Sequence, residues 1–150
     1  MNHRTRAFAS LFALAVASAL AASETVTQGD KVMLSTPAST QRIRQEFERQ
    51  MLGLGYLLQS SQEGILVYEG DSDAATAFMW ANSYTGEKPK FRYRVNIVDL
   101  SDSRRVVISK SVFIPGTKLR SAHEEARSRS ADMDEIRGVL SKVAAGLESR

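Results

Sequence analysis

Of the two histidines in this chain of 150 residues, only His123 stands among residues that resemble a reactive site. It opens the run His123-Glu124-Glu125-Ala126-Arg127. A zinc protease helix needs His-Glu-x-x-His, with both imidazoles on one face, and position 127 is arginine. A hydrolase triad needs a serine on a rigid elbow, and no Gly-x-Ser-x-Gly occurs. The acidic pairs are no closer to chemistry. Asp71 and Asp73 flank Ser72 without the glycine and distal glutamate of a calcium loop, and fit a turn. Asp132 and Asp134 stand where a helix begins, a position that favours negative charge for its own sake. The chain has no cysteine, which removes thiol nucleophiles, thiolate metal sites and disulfides. These residue types and spacings predict a non-catalytic protein with no cofactor and no metal.

Two groups of side chains point instead to binding. Lys88, Lys90, Arg92 and Arg94 recur at every second position, so an extended strand puts them on one face. Arg105 falls beside them if the chain doubles back. Such a stripe could dock an acidic partner surface, lipid headgroups or cell-wall carboxylates. Its plainer role is to solvate the outer face of a sheet and discourage aggregation. The second group is aromatic: Tyr68, Phe78, Trp80 and Tyr84. They could line an apolar ligand pocket between a sheet and a helix, or simply fill the core with their polar tips at its rim.

The elements that must position these groups follow from hydrophobic periodicity. Lys31–Thr36 reads as a strand stopped by Pro37, with the polar residues 22–30 as a loose lead-in. Ser39 or Thr40 then caps a helix whose apolar stripe is Ile43, Phe47, Met51 and Leu54. Tyr56–Ser60 and Ile65–Glu69 form a hairpin, and Thr76–Tyr84 reads as a strand with a short helix as competitor. Lys90–Leu100 alternates strictly, Phe91, Tyr93, Val95 and Ile97 against Lys90, Arg92, Arg94 and Asn96. That marks a sheet with one dry and one wet face. Arg105–Ile114 returns as its antiparallel partner. Residues 117–131 read as a charged surface connection. Asp132 and Glu135 resemble a capping box that opens a final helix, with Met133, Ile136, Leu140, Val143 and Leu147 as its stripe.

The N-terminus carries an address. Arg4 and Arg6 precede the apolar and small-residue run 7–22, within which Ala19-Leu20-Ala21 and Ala17-Ser18-Ala19 are two candidate cleavage sites. This is the three-part layout of a secretory signal peptide over residues 1–21, and it predicts export to the periplasm. The apolar block is shorter than the roughly 20 residues a membrane-spanning helix wants. It has no polar face, unlike a transit peptide. The formal net charge of +3 includes Arg4 and Arg6, so the mature remainder is close to neutral. A near-neutral exported chain is not built to neutralise phosphates, which argues against nucleic acid as a partner.

The expected fold is therefore α+β: a single domain over residues 31–148, in the order β-α-β-β-β-β-β-α. Its curved antiparallel sheet carries two helices on one face. This order resembles the helix-grip, or TBP-like, folds, and in particular the domains of the outer-membrane barrel-assembly lipoprotein C family. The resemblance runs through KVMLST, the helix ending in LGLGY, the hairpin LLQSSQEGILVYE, the alternating FRYRVNIV and the closing helix MDEIRGVLSKVAAGLE. It implies a periplasmic domain, although the acylated cysteine of that family has no counterpart here. The function expected is that of an exported binding domain of the bacterial envelope, meeting an envelope protein or an anionic envelope component. Two alternatives are a carrier of an apolar small molecule and an immunity-type inhibitor of a periplasmic toxin.

Overall fold

The computed structural model describes residues 24–80, 87–117 and 120–149. The leader 1–21 and Tyr84 lie outside the described residues. Within them the order is β1 (Glu24–Gln28), β2 (Lys31–Thr36), α1 (Thr40–Gly53), β3 (Leu57–Gln62), β4 (Ile65–Asp71) and α2 (Ala74–Trp80). It continues through β5 (Lys90–Asp99), β6 (Arg104–Ile114), β7 (His123–Ala126) and α3 (Ser130–Glu148).

The two long helices form where the periodicity places them. The Ser39 hydroxyl accepts from the Arg42 amide at 3.3 Å, satisfying one of the free donors at the start of α1. Ile43, Phe47 and Met51 are fully buried on one side of that helix, each contributing about 1.5–3 kcal/mol of apolar burial. Leu54, just beyond the helix, is exposed. In α3 the buried stripe is Met133, Ile136, Val139, Leu140, Val143 and Leu147. The helices pack against each other, and the Arg42 guanidinium donates to the Leu147 carbonyl at 2.8 Å, occupying an acceptor in the last turn of α3.

The sheet is antiparallel, curved and open, ordered β1-β2-β6-β5-β4-β3, with β7 also pairing with β6. Burial alternates along β5 and β6. Phe91, Tyr93, Val95 and Ile97, with Val106, Ile108, Val112 and Ile114, turn to the helices and form the core. The fold is thus α+β, a curved sheet with helices packed on one face. Among the described residues no helix is long and apolar enough to cross a membrane.

Three segments differ from expectation. Glu24–Gln28 is a strand rather than a lead-in, paired in unbroken register with β2. Gly29, at φ 60°, turns the chain in the two-residue loop between Gln28 and Lys31. The strand reads as polar because it is an edge, exposed along its whole length. Ala74–Trp80 is a helix, not a strand: the Asp73 carboxylate accepts from the Thr76 amide at 2.7 Å, and alanine and methionine follow. Finally, His123–Ala126 adds a short strand inside the supposed surface connection, beside the distal half of β6.

Candidate functional site

Because the helices cover one side of the sheet, the alternate residues of every strand form an open opposite face. The register fixes who sits beside whom. One row across the sheet runs Val26, Met33, Val107, Asn96 and Ile65. Val67 and Val98 stand in the adjoining rows, and all of these side chains are exposed or half-buried. The result is a mainly aliphatic band centred on Val107, interrupted by Asn96 and left in water.

Cations surround this band. Arg105 lies opposite both Ser35 and Val98, and Lys31 and Arg94 both lie opposite Ser109. Arg94 has 49% of its side chain exposed, with its nearest carboxylate, Glu124, at 3.9 Å. Arg105 and Lys31 are exposed, and among the described residues no carboxylate pairs with either. The predicted cationic residues Lys90, Arg92, Arg94 and Arg105 do share this face, but they are not equivalent. Arg92 is held internally. It is bonded to Glu69, donates to Glu124 at 2.8 Å, and lies 3.8 Å over the Phe113 ring. Lys90 is half-buried opposite Phe113 and Asp71. The ring free to meet a partner is Lys31, Arg94 and Arg105. Lys31 was missed because it belongs to a distant strand, brought alongside only by the β2–β6 pairing.

Glu124 anchors the other end of the face. Burial pushes its carboxyl upward, but the Ser111 hydroxyl at 2.6 Å and the Arg92 guanidinium outweigh this and hold it below the usual carboxylate value.

The aromatic residues do not form one pocket. Tyr68 is 1% exposed within the core, whereas Phe78 is 82% exposed on α2. The alternation that put Phe78 and Trp80 on one side assumed a strand; a helix sends them apart. Trp80 packs against the core edge and faces His123, with ring centroids 6.1 Å apart. Together with Ile114, Pro115, Arg120 and Ser121 they line a recess of ≈ 150 Å³, small beside the roughly 300–1,000 Å³ of ordinary ligand pockets.

On the covered side, Asp132 and Glu135 join a charge cluster with Lys110 and Arg127 that their sequence positions do not reveal. Lys110, 3% exposed on β6, bonds Asp132 at 3.0 Å and Glu135 at 2.6 Å. Arg127 reaches the other oxygen of Asp132 at 3.2 Å. The Tyr93 hydroxyl donates to Glu135, and its ring meets Tyr56 edge-on at 4.9 Å. Burial, reinforced by Glu135, raises both phenols, Tyr56 to about 12. The expected capping box of Asp132 and Glu135 is therefore not formed. α3 begins one turn earlier, its cap residue Arg129 makes no side-chain bond, and Lys110 takes both carboxylates. This cluster fastens the first turn of α3 and the end of β7 to the sheet.

Compared with known proteins, the chain matches no protein-family model and no curated protein.

Proposed function

We propose that this protein is an exported, non-catalytic binding domain of the bacterial envelope that docks an acidic protein surface on the open face of its sheet. The observation that carries the reading is the aliphatic band around Val107, left uncovered and ringed by Lys31, Arg94 and Arg105. An apolar centre with a charged rim is the usual anatomy of a protein interface. Lys31 and Arg105, with no carboxylate of their own among the described residues, and Arg94, only distantly met by Glu124, favour a partner that supplies one. A lipid surface would be met better by a protruding apolar edge than by a band in the middle of a sheet.

A photocrosslinking residue at Ser109, on the open face, tests this against one at Ser141, on the exposed side of α3. The expected result in intact cells is a discrete protein adduct from position 109 alone. The captured protein, purified, then binds about tenfold or more weakly to an Arg94→Glu/Arg105→Glu variant, and its binding weakens as salt rises. Equal adducts from both faces, or binding indifferent to the reversals, defeats the docking reading. Adducts of phospholipid rather than protein defeat the partner class. Mass spectrometry of the same sample reads the N-terminus: a start near Ala22 is expected, and an intact Met1 in the membrane fraction overturns export.

A further inference from the structure

The two outer edges of the sheet are built differently, and the difference singles out β1. At the β3 edge a bulge between Leu58 and Ser60 breaks the register, and Arg44 of α1 bonds the Ser61 hydroxyl. Bulges and overlying charges are the devices by which edges are kept from pairing. The β1 edge has no bulge, and the charge over it, Arg137 on the Thr27 hydroxyl, is neutralised by Asp134. Its sequence Glu-Thr-Val-Thr-Gln contains no lysine or proline, its register with β2 is unbroken, and all five residues are exposed. Among the described residues no strand lies on its outer side.

The loop at Gly29-Asp30 tells which backbone groups face outward. A two-residue turn with glycine at positive φ in its first position, and no non-glycine at positive φ, is of type II′. Such a turn closes on a hydrogen-bonded pair, here Gln28 with Lys31. Bonded and non-bonded pairs alternate in an antiparallel ladder, so Val26–Met33 and Glu24–Ser35 are bonded too. Thr25 and Thr27 consequently turn their N–H and C=O groups to the free edge.

We propose that β1 is a homodimerisation edge, along which two copies of this chain pair antiparallel with Val26 on the two-fold axis. The strand is complementary to itself in that register and parity. Thr25 of one copy meets Thr27 of the other, and each such pair exchanges both of its N–H···O bonds. Val26 meets Val26 on the open face, and threonines meet on the other, pairings that stabilise sheets. Glu24 meets Gln28, so no like charges oppose. Arg137, which donates to the Thr27 hydroxyl at 3.2 Å, arrives already paired with Asp134 at 2.6 Å. The interface is isologous and closed, and it needs no partner other than a second copy.

Since the chain has no cysteine, Val26→Cys introduces a unique thiol. Mild oxidation is expected to crosslink it rapidly as a disulfide dimer, while Gln62→Cys at the β3 edge stays monomeric. Sedimentation of the unmodified protein over a wide concentration range is expected to show a monomer–dimer equilibrium. Thr25→Pro removes an outward N–H without touching the ladder to β2, so it should weaken the dimer about tenfold or more with an unchanged circular dichroism spectrum. A protein that stays monomeric throughout overturns the proposal, as would be expected if the edge serves a foreign strand. So does a Thr25→Pro variant that dimerises as before, or a Val26→Cys variant that crosslinks no faster than Gln62→Cys.

Discussion

Lys110 and Arg105 lie on one strand and face opposite worlds. Lys110 is sealed beneath the helices, with two carboxylates on its ammonium and the Phe91 ring 4.1 Å away. Arg105 stands in water on the open face, without a carboxylate partner among the described residues. The inner charges have their partners inside the molecule, so their work is to hold α3 in place. On the outer face Arg92 is likewise matched, but among the described residues Arg105 and Lys31 have no carboxylate, and they remain available to something else. Formal charge says little about role here; pairing and burial decide it.

The sharpest way to break this comparison is to remove each cation in turn. Lys110→Ala strands Asp132 and Glu135, and the expected loss is about 3–5 kcal/mol in urea unfolding. A loss near 1 kcal/mol would mean that the cluster is not a fastening at all. A smaller effect is expected on alkaline titration. Tyr56 is raised to about 12 by burial and by the charge on Glu135, so the folded state keeps a proton that the unfolded chain, near 10, gives up. That contribution is intact below pH 10 and is lost as pH climbs from there towards 12. The urea midpoint should fall across this window, and Tyr56→Phe should flatten the fall. The smallest effect belongs to the open face. Arg105→Ala should leave stability within about 0.5 kcal/mol, and a larger loss would show that Arg105 has a structural duty after all.

The sequence made some of this legible, for reasons that can be assigned residue by residue. α1, α3, β5 and β6 each have one dry and one wet side, and two-sidedness writes itself as periodicity. β1 and β7 carry no such pattern, because an exposed edge asks little of its side chains. α2 is short enough for Phe78 and Trp80 to imitate alternation, and the Asp73 carboxylate on the Thr76 amide, with the alanines and methionine that follow, makes it a helix. Lys110 was legible in principle. It interrupts the inward series Val106, Ile108, Val112 and Ile114, and a lysine in that register must find acid inside. The cationic residues Lys90, Arg92, Arg94 and Arg105 do share one face of the sheet, but they are not equally exposed or equally paired. That Arg92 is occupied by Glu69 and Glu124 follows from strand order and register, which span distant parts of the chain.

The position of β2 in the sheet also has a bearing on timing. Residues 31–36 pair not with their neighbours in sequence but with residues 104–109, whereas β4, β5 and β6 pair consecutively. A ribosome releases the β1–β2 hairpin early and β6 late. Closing the contact between them encloses about half of the chain, the kind of long-range pairing that slows folding. The first hairpin made must therefore wait longest for its place in the sheet, with the edge of β2 that β6 will cover left open until then.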